Sequence, residues 1–256
     1  MRVVILGYGV RGRTYAKYAL EHPAEFQIVA IADPILAQQD ALHEARGTKH
    51  ESRITKHEAR GTKHEARSTK HEARIFTDWR AALAVDADAA VIALPDRLHC
   101  EAAEAALARG LHILLEKPIG CSWEECERVR EAQRRAQRLV LTGYVLRFSA
   151  YYRKLKQVLR THEIGDIVNI HHLVAIGYGK AAHAFCRGNW GREEDGTTAL
   201  VQKCTHDFDL IVWWTGKREP QDIASFGSLM HWRPENAPSG AAERCVDCPA
   251  LVRASC

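Results

Sequence analysis

No apolar run in these 256 residues approaches the roughly 18 consecutive positions that a membrane helix needs, which excludes a helical membrane span. Only two residues separate the N-terminus from an apolar strand pattern at Val3, leaving no room for a leader peptide, so a cytoplasmic protein is the expectation. Charge imbalance is also scarce. The net charge is +4, and residues 43–74, with five Arg, four Lys and five Glu, account for all of it. The remainder sums to zero, which argues against a basic face for nucleic acid. Cysteine is not scarce, but its eight copies fall mostly singly within apparent helices and strands, as reduced thiols do, rather than in a disulfide framework. Hydrophobic content of 46% and charged content of 27% are those of an ordinary globular protein, long enough for one large domain or two smaller ones.

The residues that organise the chain are Gly7-Tyr8-Gly9-Val10-Arg11-Gly12. They follow the buried-strand run Val3–Leu6 and lead into a helical pattern over Thr14–Leu20. In that setting Gly7 permits a tight turn, Gly9 lets backbone approach a pyrophosphate, and Gly12 lets the helix pack against the strand. The phosphates would then sit on the N–H groups of the helix start, around Val10 and Arg11. A second strand, Phe26–Ala32, ends at Asp33, about 20 residues on, where a carboxylate can accept from ribose hydroxyls. The combination points to NAD. NADP stays open as the alternative, although its 2'-phosphate would face Asp33.

Residues 43–74 form a tandem repeat of seven residues, His-Glu-Ala-Arg-Gly-Thr-Lys with small changes. As a helix it is poor: Gly47 and Gly61 each cost about 1 kcal/mol against alanine, and Arg46 and Lys49 are like charges on one face. Period seven aligns the histidines, but about 10.5 Å apart, too far for two of them to share an ion. The expectation is a solvated, mobile or loosely helical insertion in a crossover at the periphery of the sheet.

Beyond it, strands are expected at 88–95, 111–115 and 139–143, with helices over 98–109 and 122–137 between them. Together with the first two strands this is the alternation of a doubly wound parallel sheet, the Rossmann arrangement, occupying residues 1–143. The strand at 111–115 delivers Glu116-Lys117-Pro118 to its carboxyl end, where such sheets hold ligands. After Tyr144 the pattern changes to helices over 151–160 and 205–215 and strands over 166–176 and 223–231. This reads as an α+β domain over 144–256 with an open, incomplete sheet.

Taken in order, the glycine turn, Ile31-Ala32-Asp33-Pro34, Ala93-Leu94-Pro95 followed by His99, Glu116-Lys117-Pro118 and Lys203-Cys204-Thr205-His206-Asp207 resemble the landmarks of the Gfo/Idh/MocA oxidoreductases. The resemblance spans nearly the whole chain apart from the repeat. It implies a nicotinamide enzyme acting on a sugar, polyol or related hydroxyl compound. Lys117 would be the catalytic lysine and His206 the proton-transfer histidine. Leu94, Pro95, His99 and Glu116 would line the cofactor site, Pro118 would be cis, and Arg147, Trp190 and Lys203 would face the substrate. Many members carry Asp four residues before the histidine, where this chain has Gln202. Members also usually continue further, so the second domain reads as truncated. Its open sheet offers a face for a homo-oligomer. Two other readings stay open: a non-catalytic dinucleotide-binding regulator, and a relative that uses bound NAD during glycosidic-bond cleavage.

Cys245 and Cys248, with Cys256 beyond, make a C-x2-C and one further thiol. That is three of the four ligands that structural zinc takes, against the simpler reading of loop thiols.

Overall fold

The computed structural model describes residues 1–38, 73–186, 188, 190–192, 194, 196–216 and 219–255. The repeat therefore lies outside the described residues, apart from Ala73 and Arg74. The chain divides into two compact units, Met1–Val145 and Leu146–Cys256.

In the first unit six strands form one parallel sheet in the order β3-β2-β1-β4-β5-β6: β1 (Arg2–Leu6), β2 (Gln27–Ala32), β3 (Arg74–Phe76), β4 (Ala89–Ile92), β5 (His112–Leu115) and β6 (Val140–Thr142). Reversal of the strand order beside β1 is the signature of the doubly wound sheet. Alternation along β1 explains why both faces need cover. Val4 and Leu6 join one apolar cluster with Trp79, Leu107 and Val129, whereas Val3 and Ile5 join another with Ala16. The first face carries α2 (Trp79–Ala82), α3 (His99–Ala108) and α4 (Trp123–Ala136), and the second carries α1 (Val10–Glu21).

Local chemistry sets the helix limits. Asp78 caps α2 by accepting from Arg80 N–H at 3.1 Å, and Ser122 caps α4 by accepting from Glu125 N–H at 3.2 Å. Gly110, at φ +75°, turns the chain out of α3. The start of α1 differs. It begins at Val10, four residues before the expected position, and its N-cap Gly9 brings no side-chain cap and no acidic residue to the first turn.

The second unit contains α5 (Ala150–Arg160), a turn of helix α6 (Tyr178–Ala181) continuing into a π-turn over Ala182–Cys186, α7 (Ala199–Trp214), and a short C-terminal helix (Ala250–Ser255). Two expectations are corrected here. The helix expected at 205–215 starts at Ala199, because the Thr198 hydroxyl accepts from Val201 N–H at 3.4 Å and provides an earlier N-cap. His206 is therefore mid-helix, not at a helix head. The strands expected at 166–176 and 223–231 carry no ladder among the described residues. The first keeps a strand's period-two burial, with Ile170, His172, Val174 and Ile176 half-buried and the residues between them exposed, but its backbone has no neighbouring strand to pair with. The second is exposed throughout. Lys156 ties α5 to α7, donating to the Trp213 and Trp214 carbonyls at 2.5 and 3.2 Å, where the last turn of a helix presents unpaired acceptors. No helix among the described residues is long and apolar enough to cross a membrane.

Candidate dinucleotide site

The residues of the first unit that the sequence marks for the cofactor lie at the carboxyl ends of the strands or at the start of α1, except His99, which begins α3. Backbone hydrogen bonds set these ends side by side: Gly7 N–H to Ala32 at 2.8 Å, Ala93 N–H to Leu6 at 2.8 Å, Glu116 N–H to Ile92 at 2.9 Å, and Gly143 N–H to Leu115 at 2.7 Å.

The three motif glycines differ in what a side chain would meet. At Gly7, φ is +88° and a Cβ would lie 2.3 Å from the Ala93 carbonyl oxygen. At Gly12 a Cβ would lie 1.9 Å from the Gly7 carbonyl oxygen, so the absence of a side chain sets how closely α1 approaches the turn. Gly9 is different: its φ is −67° and a Cβ there would meet nothing within 4 Å. The protein itself does not need glycine at that position. It leaves open space before an uncapped helix N-terminus, the kind of cradle that a pyrophosphate fills.

Asp33 closes one side of the cradle. One carboxylate oxygen accepts Tyr8 N–H at 2.9 Å, and the other accepts Ile35 and Leu36 N–H at 2.9 and 3.0 Å. Three of the roughly four lone-pair sites of a carboxylate are thus used to fix the glycine turn and the next helical turn. The remaining one is available to a ribose hydroxyl. The bonds to Ile35 and Leu36 are the local capping that an Asp before a helical turn offers, whereas the bond to Tyr8 is brought about by the fold and is not readable from sequence.

Glu116 anchors another side. Its side chain is 9% exposed and receives Arg11 Nε at 2.7 Å and the Tyr15 hydroxyl at 2.5 Å, while Arg11 also donates to the Tyr15 oxygen at 2.8 Å. Burial, then the Glu116 hydrogen bond and charge, push the Tyr15 phenol up to about 12. For Arg11, burial works the other way and is outweighed by Glu116, leaving the guanidinium pKa raised. Tyr15 is a site residue that sequence reasoning missed. Its only signal is its i,i+4 spacing from Arg11 on one helix face. Lys117 follows Glu116 directly, is half-buried, and is joined to Pro118 by a cis peptide bond.

The family's description "Oxidoreductase family, NAD-binding Rossmann fold" matches residues 1–144, and its "C-terminal alpha/beta domain" matches 156–252. The chain belongs to the Gfo/Idh/MocA oxidoreductase family. It is similar to the inositol 2-dehydrogenase of Arthrobacter sp. (strain FB24), 29% identical over 158 residues, which are 60% of this chain and 42% of that protein. It is also similar to a putative UDP-kanosamine synthase oxidoreductase subunit of Amycolatopsis mediterranei, 28% identical over 218 residues, 84% of this chain and 52% of that one. Among solved structures, the scyllo-inositol dehydrogenase of Lactobacillus casei with bound NAD(H) and scyllo-inositol superposes with a TM-score of 0.61 at 22% identity, over 84% of this chain and 56% of the other. At that identity the likeness concerns the fold. The chain spans about half the length of these relatives, or less.

In the second unit, Gln202, His206 and Asp209 lie on one face of α7 at i, i+4 and i+7. Asp209, 8% exposed in its side chain, is held by Arg147 through two bonds, Nε to Oδ2 at 2.7 Å and Nη2 to Oδ1 at 2.6 Å. The neighbouring Asp207 receives His172 Nε2 at 2.7 Å. The two carboxylates that follow His206 are thus already engaged. Lys203 is half-buried one turn before His206, and the Trp190 ring lies tilted against Phe185 with centroids 6.5 Å apart. Of the proposed zinc thiols, Cys256 and the Cys245 side chain lie outside the described residues, and Cys248 is half-buried. Among the other thiols, burial first and then Glu104 or Glu125 push Cys100 and Cys121 up to about 11, which favours the protonated thiol at neutral pH.

Proposed function

We propose that this chain binds NAD across Gly7, Gly9, Val10, Gly12 and Asp33, and belongs to an enzyme that moves hydride between that cofactor and a hydroxyl carbon of a sugar or polyol. The observation that carries the reading is Gly9, a glycine the fold does not need, lying at an uncapped helix start beside a carboxylate with acceptor capacity to spare. The inositol and sugar-nucleotide names of the relatives support the substrate class.

When bound, the nicotinamide ring supplies the hydride acceptor. The chain's own residues do the rest. Lys117, held between Glu116 and Pro118 at the end of β5, is suited to exchange a proton with the substrate hydroxyl, and His206 is proposed as a proton-transfer group in its own unit. Arg147, Trp190 and Lys203 are proposed to face the substrate. Asp33 favours NAD over NADP, since a 2'-phosphate would meet a carboxylate whose other valences are fixed by backbone amides. Gln202 supports a second reading, dinucleotide binding without turnover, because an amide can neither hold nor release a proton.

Calorimetric titration with NAD and NADP, followed by NADH absorbance across a panel of inositols and sugars, separates these readings. Saturable NAD binding with turnover supports the dehydrogenase, and NAD binding with no turnover supports the regulator. Absence of NAD binding rejects both.

A further inference from the structure

The parallel ladder between β4 and β5 ends early. Its last rung is Glu116 N–H to the Ile92 carbonyl at 2.9 Å. Parallel rungs from one strand recur every second residue, so the next donor would be residue 118 and the next acceptor Leu94. Residue 118 is Pro118, which has no N–H, and the rung cannot form. The Leu94 carbonyl that this rung would have used is left to take a donor from elsewhere.

His99 occupies that gap. It starts α3, is 1% exposed, and directs Nε2 at the Leu94 oxygen at 2.9 Å and Nδ1 at the Pro118 oxygen at 2.6 Å. Both polar atoms of the ring are therefore committed to backbone, one on the loop after β4 and one on the loop after β5. As the imidazolium it donates to both carbonyls; as a neutral tautomer it donates to one.

We infer that His99 is a positioning residue, a side-chain rung that replaces the one missing at Pro118 and fixes the Lys117-Pro118 turn against the Leu94 loop. It presents no ring nitrogen to a ligand. Its effect on chemistry is indirect: with Glu116 pinned by Arg11 and Tyr15 on one side and Pro118 pinned by His99 on the other, the lysine backbone is fixed at both neighbours. The consequence for catalysis rests on the reading of Lys117 above, whereas the rung itself can be measured without turnover.

The test compares amide hydrogen exchange in the full chain, as it stands, for wild type, His99→Phe and His99→Gln. Phenylalanine fills the volume without a donor, and glutamine keeps an N–H that can reach one carbonyl. Peptides covering 93–98 and 116–122 should exchange at least tenfold faster in His99→Phe, with the glutamine variant between the two and a β1 peptide unchanged. Acylation of the Lys117 amine, read by mass spectrometry, should rise severalfold in the same order. Unchanged exchange in both loops of a folded phenylalanine variant would overturn the inference. If that variant does not fold, nitrogen-15 spectra of the wild-type ring decide: a slowly exchanging His99 ring proton supports the rung, and exchange as fast as in free histidine rejects it. A polyol panel with no turnover would refute the dehydrogenase reading and leave these measurements intact.

Discussion

The guanidinium of Arg11 and the carboxylate of Glu116 meet at 2.7 Å across 105 positions of sequence, joining the first turn of α1 to the end of β5. Tyr15 shares that carboxylate and is held in its neutral form by burial and by Glu116. A phenol whose folded pKa is raised contributes stability that is complete below its ordinary value of 10 and is lost as pH rises toward about 12. Ultraviolet titration should show one tyrosine resisting ionisation to about pH 12 and absent from Tyr15→Phe. In Glu116→Gln that step should move down, and urea unfolding at neutral pH should register a loss of about 1–3 kcal/mol for the charged hydrogen bonds. A titration that Glu116→Gln leaves unmoved would contradict the network.

The glycine turn allows folding to be separated from binding. Gly12→Ala puts a Cβ within 1.9 Å of backbone and should cost roughly 3 kcal/mol or more, or prevent folding. Gly9→Ala puts one into open space, so thermal unfolding should change by less than about 0.5 kcal/mol while NAD affinity falls at least about tenfold. A Gly9 variant that binds NAD normally would remove the main support for the cradle.

Asp33 should show both effects together. Asp33→Ala leaves three backbone N–H groups without their acceptor and removes the ribose contact, so it should lower stability and also weaken NAD binding by about 1–3 kcal/mol. Calorimetry on the folded fraction, run beside denaturant unfolding, separates the two. Affinity that is unchanged once unfolding is accounted for would leave Asp33 with its turn-fixing role alone.

In the second unit, Asp209→Ala should cost about 3 kcal/mol, because it leaves the Arg147 guanidinium partly buried without its two-bond partner. Arg147→Lys should cost less, about 1 kcal/mol, as one point charge replaces the fork. Equal losses in the two variants, measured by chemical denaturation, would show that the paired geometry carries no weight.

The sheet of the first unit was legible because its strands are short, continuous apolar runs separated by glycine and helix caps, signals that act within a few residues. What it did not reveal was the wiring among those elements. Asp33 bonding to the Tyr8 amide, Glu116 to Arg11, and His99 to the Pro118 carbonyl join positions that become neighbours only when the sheet assembles. In the second unit, Asp166–Ile176 has the alternation of a strand, but alternation specifies which side chains turn inward and not whether a neighbour will complete the ladder. Thr198 is a plain cap, yet it precedes a run, Ala199–Val201, that reads equally as strand or helix.

The segments around Leu173 and Phe226 are the parts of the second unit most open to a protease cleft. Val168 is 96% exposed and Phe226 95%, on backbone with no strand beside it among the described residues. Extended apolar peptide of that kind is what chaperones grip and what protease clefts accept. Limited proteolysis of the purified chain is therefore expected to cut first in these two segments, ahead of the β strands of the first unit.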